Sequence, residues 1–255
     1  MRILVTFAVE SELAPWRKLR QLRATTVNGY EILQVQLGHA SVDFVVTGMG
    51  LENARKGAET AMSAPYDICV ASGFAGALKR TYKVGDILAA RAVQLIGTSK
   101  TIESSRNLWM ATQENQAVRA DMFLTSDHVV ATTEEKQQLG PFGDAVDMES
   151  FATLSVAKDK GLSAVAVRVI SDRFDEDMPA DIDTMVDEKG LVSVRGVAKH
   201  LARHPYGIPA LIRLGRQSRT AAEALAHFLE AFVKELSFRS HGWPPSELSD
   251  VATRR

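Results

Sequence analysis

Three carboxylates frame one short stretch of the chain. Asp147 and Glu149 stand in a loop, and Asp172 follows an apolar run that ends at Ile170. A carboxyl group can pass a proton to a bound molecule or accept hydrogen bonds from its hydroxyls, provided that it faces a cavity rather than bulk water. The plain alternative is that such acids cap a helix or sit in a solvated turn.

The elements around these acids decide between the two. Phe151, Leu154, Val156, Ala157 and Leu162 recur at roughly helical spacing, and Ala164 to Ile170 is apolar and rich in β-branched residues. That pattern predicts a helix followed by a strand covered on both faces, an α-to-β unit of a layered α/β domain. Ligands of such sheets bind beyond the carboxyl ends of the strands, where Ser171 and Asp172 stand. Glu149 falls at the helix start, where the positive end of the dipole favours an ionised carboxylate.

The preceding chain supplies more elements of the same kind. Ile3 to Ala8 reads as a first strand, and Glu10-Ser11-Glu12-Leu13 opens a helix with acids in its first turn, continued by Trp16 and Leu19. Gly29 to Gly38 and Ser41 to Thr47 read as two further strands. Thr47-Gly48-Met49-Gly50 then leads into a helix over 51–62; glycines there allow close backbone approach, but the full dinucleotide fingerprint is missing. Tyr66 to Ala71 is another buried strand, followed by the small residues of Ser72-Gly73-Phe74-Ala75-Gly76. Lys83 to Ile87 reads as a structural β-turn feeding a strand. Residues 97–122 are polar and predict a flap or a helix. Phe123 to Val130 reads as a strand leading to a helix over 134–139, with Asp127 and His128 on opposite faces and therefore outside the site.

Length and composition set bounds. The 255 residues suit one large α/β domain, placed at 1–238 with a helical extension over 190–238 and a loose tail over 239–255. Thirty Lys and Arg balance thirty-one Asp and Glu, so nothing predicts nucleic acid as a partner. Cys69, the only cysteine, lies in an apolar run and reads as a core thiol. The single thiol and the lack of an apolar leader predict a cytoplasmic protein. Six scattered histidines predict no metal site, and no cofactor is expected.

Beyond Asp172 an acidic stretch from Asp175 to Glu188 reads as a solvated loop. A basic one follows, with Arg195, Lys199, Arg203, Arg213, Arg216 and Arg219 interleaved with apolar residues. It predicts amphipathic helices broken near Pro205 and Pro209, which cover the core or a subunit interface, with peripheral contact to an anionic membrane as the alternative. A closing helix spans 220–236.

Asp147-Met148-Glu149-Ser150 and Arg168-Val169-Ile170-Ser171-Asp172, in this order and separation, resemble the purine nucleoside phosphorylase and methylthioadenosine/S-adenosylhomocysteine nucleosidase superfamily. Thr47 to Ala54 and Lys83 to Ile87 match further segments of it. The C-terminal half is similar to the hopanoid-associated branch, thought to remove adenine from an adenosyl-lipid. Phe74 departs from the pattern, which usually carries serine there. The resemblance implies a three-layer domain with a mixed, twisted, partly barrel-like sheet flanked by helices, and a homodimer or larger assembly.

It also implies roles. Cleaving a purine from ribose requires a proton for the departing base, stabilisation of an oxocarbenium-like sugar and a nucleophile on the far face. Asp172 is the expected general acid toward N7, its carboxyl kept protonated by a partly buried pocket. Glu149 is expected to accept from ribose hydroxyls, Met148 to pack on the sugar, and Glu12 to orient and deprotonate water. Phe74, Ser171, Arg168 and Gly50 complete the expected substrate-binding set. Glu10 and Glu12 repel phosphate, which favours hydrolysis over phosphorolysis. The third reading is a nucleoside-binding module without catalysis.

Overall fold

The computed structural model describes residues 1–178 and 208–239. Its strands are β1 (Arg2–Phe7), β2 (Arg23–Val27), β3 (Tyr30–Leu37), β4 (Ala40–Val46), β5 (Ile68–Ala77), β6 (Ile87–Leu95), β7 (Thr101–Glu103), β8 (Val118–Thr125), β9 (Ala145–Asp147) and β10 (Ser163–Asp172). The helices are α1 (Glu10–Leu19), α2 (Leu51–Ala61), α3 (Arg106–Glu114), α4 (Thr133–Leu139), α5 (Ser150–Asp159) and α6 (Ile208–Arg239).

All ten strands form one mixed sheet. β1 pairs in parallel with β4 and β5, and β5 in parallel with β10. From β10 the order runs through β6, β8 and β9 and returns to β5, which closes a barrel at one side. β4, β3 and β2 extend the other side as an open sheet. Parallel register brings the carboxyl ends of β1, β5 and β10 together, with Thr6 opposite Ala71 and Ala71 opposite Ala166.

Alternation along the strands builds two cores. Ile3, Val5 and Phe7 of β1 join Val165, Val167 and Val169 of β10 on one face, under α1 and α6. Leu4, Cys69, Ala164, Ala166 and Ile170 face the other way, toward α2 and α5. Each large aliphatic or aromatic side chain buried in this way contributes about 1.5–3 kcal/mol, so both helical layers are needed to cover the sheet. Every residue of β10 is buried.

Several boundaries differ from the expectation. Strand β5 runs on through the small residues to Ala77, because Gly76 and Ala77 pair with β9. The 97–122 region holds β7, α3 and the first half of β8. Asp127 and His128 lie in a bend past β8, where their side chains meet at 2.7 Å rather than diverge. Pro209 does not break the helix: it is the second residue of α6, where no amide proton is required. Residues 190–207 of the extension and 240–255 of the tail lie outside the described residues. Among the described residues no helix is long and apolar enough to cross a membrane.

Candidate active site

Glu12 is fixed by the turn that starts α1. Its Oε2 accepts from the backbone N–H groups of Ala8 (2.7 Å) and Val9 (3.1 Å), the reach-back of a carboxylate in the first helical turn. Its Oε1 accepts from the N–H of Phe74 on β5 at 2.7 Å. Glu12 therefore caps a helix and joins two neighbouring strands. Burial raises its pKa, against the opposing pull of Arg168 and of these three donors.

The two acids before α5 divide their work. Asp147 Oδ1 accepts from the N–H of Glu149 (3.2 Å) and Ser150 (3.1 Å) and from the Thr125 hydroxyl (2.8 Å), so Asp147 caps the helix. That frees Glu149. Its Oε1 accepts from the Gly50 N–H at 2.9 Å, and its Oε2 lies 3.3 Å from Arg168 Nη1. The helix dipole does not set its protonation: burial pushes the Glu149 carboxyl up to about 7, with Arg168 opposing and Asp147 reinforcing.

Arg168, 1% exposed, is the common counter-ion. Its Nε is 3.0 Å from Asp147 Oδ2 and donates to Ser150 Oγ at 3.0 Å. Burial would lower its pKa, but Asp147, Glu149 and Glu12 override this and raise it. Gly73, at φ +140°, passes so close that a Cβ there would sit 2.5 Å from Arg168 Nη1 and 2.6 Å from Glu12 Oε1. The glycine serves these two side chains rather than a ligand.

At the end of β10 a bulge between Ile170 and Asp172 sets Asp172 opposite Gly76. Asp172 Oδ1 accepts from the Ser171 hydroxyl at 2.9 Å, and Oδ2 lies 2.6 Å from Lys136 Nζ of α4. Both partners of that ion pair are buried.

One cavity of about 1010 Å³ gathers the site. Among the described residues it is lined by Glu12, Phe74, Met148, Glu149, Ser171 and Asp172, all of which were expected there. Arg168 and Gly50 are not on its wall; each holds Glu149 from behind instead. The cavity continues between α1 and α6, past Ala14, Pro15, Leu19, Leu211, Leu214 and Ala222. His128 also lines it, with its pKa raised by hydrogen bonds to Asp127 and Glu135. No cluster of three or more His, Cys, Asp or Glu suited to a metal ion occurs among the described residues.

Sequence reasoning missed Lys136 and gave Asp147 and Ser150 no role. Lys136 sits in Thr133-Glu134-Glu135-Lys136-Gln137-Gln138-Leu139, a polar helix in which a lysine reads as solvated. No local signal marks it as buried.

A mixed sheet closed into a partial barrel, flanked by helices, with an acidic cavity at the shared strand ends, defines a nucleosidase-like α/β fold. The profile of the phosphorylase superfamily matches residues 2–203, and the chain belongs to that family. No curated protein matches the sequence. Solved structures do. One is the 5′-methylthioadenosine/S-adenosylhomocysteine nucleosidase of Neisseria meningitidis in complex with methylthio-immucillin-A, at TM-score 0.71 and 19% identity, covering 92% of this chain and 99% of that one. The Helicobacter pylori nucleosidase with butyl-thio-DADMe-Immucillin-A gives 0.71 at 18% identity, over 92% and 98%. The futalosine hydrolase of Helicobacter pylori gives 0.71 at 18%, also over 92% and 98%.

Proposed function

We propose that this chain is an N-glycosidase that hydrolyses the N9-ribosyl bond of a 5′-substituted adenosine and releases adenine. The observation that carries it is the meeting of Asp172, Glu149 and Glu12, from three separate segments, on the wall of one cavity. In the proposed reaction Asp172 gives its proton to N7 as the glycosidic electron pair leaves with adenine. Glu149 takes hydrogen bonds from the ribose hydroxyls, and Met148 packs on the sugar. Glu12 accepts a proton from the attacking water. A carboxylate offers roughly four lone-pair directions; three backbone N–H groups occupy three on Glu12, which leaves one on Oε1 for water. Burial, which raises its pKa, makes its carboxylate a stronger proton acceptor than an exposed glutamate.

Water is favoured over phosphate because the buried cations beside these acids are already engaged, Arg168 by Asp147 and Glu149 and Lys136 by Asp172. The 5′ substituent is read as bulky and apolar, like a lipid. A cavity of about 1010 Å³ stands at the upper end of ligand pockets, and its extension between α1 and α6 is lined by Pro15, Leu19, Leu211 and Leu214, with Lys18, Arg219, Glu223 and His227 also on its wall. The fold alone leaves this group open, since methylthioadenosine nucleosidases and a futalosine hydrolase match it equally well. A cytoplasmic homo-oligomer belongs to the same reading. Exposed Arg213 and Arg219 on α6 offer basic surface to a second copy or to the rim of an anionic membrane.

The test is adenine release from 5′-methylthioadenosine and from a 5′-dodecylthio analogue, with and without phosphate, by the parent and Asp172→Asn. Phosphate-independent release that the substitution abolishes, fastest on the long-chain substrate, is the expected result. A requirement for phosphate would replace hydrolysis by phosphorolysis, and silence on both substrates would leave a binding module.

A further inference from the structure

Lys136 is 0% exposed, and a buried ammonium ion is costly unless its charge is matched and its protons are used. Here both conditions hold. Nζ donates to the backbone carbonyls of Arg173 and Glu176, each at 2.8 Å, and lies 2.6 Å from Asp172 Oδ2. The last contact is an ion pair rather than an aligned hydrogen bond, since Oδ2 has no partner of hydrogen-bond geometry.

The surrounding contacts show what this lysine holds. Asp177 Oδ1 accepts from the Thr133 N–H, and the Met178 N–H donates to the Ala131 carbonyl at 2.8 Å. Glu176 pairs with Arg213 of α6 and accepts from Gln217 at 2.9 Å. The segment from Asp172 to Met178 is thus pinned to α4 on one side and to α6 on the other, with Lys136 at its buried centre. Oδ2 is also walled in by Gly76, where a Cβ would lie 3.0 Å from it. Oδ1, bonded to Ser171 on the cavity wall, is the oxygen left to face a ligand.

We infer that Lys136 is a positioning residue for proton delivery, holding Asp172 through Oδ2 so that Oδ1 carries the proton to the departing base. This rests on the nucleosidase reading above. Asp172, a carboxylate in its resting ion pair with Lys136, first takes a proton from water onto Oδ1. When that Oδ1–H bond breaks and the N7–H bond forms, the electron pair stays on the carboxylate, and the ammonium ion still in contact through Oδ2 stabilises the charge as it is restored. Lys136 itself gives up no proton and touches no substrate.

A substrate that needs no proton separates this role from a merely structural one. The N7-methylated form of 5′-methylthioadenosine leaves with its positive charge already in place. For Lys136→Met we expect kcat for adenine release to fall about 100-fold, within the range lost when acid catalysis is removed, and release of 7-methyladenine to stay within about threefold of the parent. Equal losses on both substrates would show a structural role and overturn the inference. Should Lys136→Met fail to fold because Asp172 is left as an unmatched buried charge, the double variant Lys136→Met/Asp172→Asn removes both charges. It is expected to match Asp172→Asn on both substrates, and a further tenfold loss on the methylated one would equally refute the role. Parent protein that releases base from neither substrate would instead overturn the nucleosidase reading, and this role with it.

Discussion

Replacing Gly73 by alanine probes the construction of the site at its tightest point. The backbone there has φ +140°, a region L-residues occupy at a cost of about 1–3 kcal/mol. The added methyl would also meet Arg168 Nη1 at 2.5 Å and Glu12 Oε1 at 2.6 Å, and neither can swing aside freely. Arg168 is held by Asp147, Glu149 and Ser150, and Glu12 by three backbone donors. Overpacking of this kind costs about 1–3 kcal/mol more. Taking roughly 3 kcal/mol in all, a chain of this size should lose about 6–12 °C in Tm. Calorimetry reads that shift, and adenine release at a temperature where both proteins are folded reads displacement of Glu12, expected to cost at least about tenfold. A Gly73→Ala protein with unchanged Tm would show that Gly73 does not pass as close to Glu12 and Arg168 as described, and the reasoning would fail at its first step.

Two further predictions concern charge and space. Glu149 ionises at about 7 in the fold and in the ordinary carboxylate range when unfolded, so between these limits the folded chain binds the extra proton and stability falls as pH rises. Glu149→Gln should therefore gain in Tm relative to the parent as pH increases through that window, while losing activity above it; a pH-independent difference in Tm would argue against the shift. Leu214→Trp should narrow the passage between α1 and α6. If three or four buried methylenes lose contact at about 0.8 kcal/mol each, kcat/KM for the dodecylthio substrate falls about 100-fold. The methylthio substrate should change less than about threefold, and equal losses on both would place Leu214 outside the 5′ passage.

The parts of the fold legible in the sequence are those whose pattern is local. β10 is an apolar run rich in β-branched residues because both of its faces are covered, and α5 reads as apolar because all of Ser150–Ala157 but Ser155 is buried. β2 was missed because Arg23–Val27 is exposed at every position, and such an edge strand exists only through pairing with β3. The site followed the same division. Glu12, Glu149 and Asp172 stand at element boundaries that motifs mark, and they line the cavity. What each acid is held by comes from segments far away in sequence: Gly50 for Glu149, Phe74 for Glu12, and Lys136 for Asp172. The helix-dipole argument for Glu149 failed for the same reason. Desolvation in the assembled fold outweighs a terminal dipole worth a fraction of a kcal/mol to about 2 kcal/mol.

The division of the cavity wall bears on how such a protein diversifies. The acids sit at the ends of β9 and β10 and at the starts of α1 and α5, within the part of the chain that the strand pairings constrain. Leu211, Leu214 and Ser218 belong to α6, which joins no strand ladder and presents a changeable face to the same space. On the proposed reading, drift in that one helix retunes which substituents are admitted while the three acids are inherited intact. Divergence in this fold should therefore accumulate first along α6, and new substrate ranges should arise there without a period of lost chemistry.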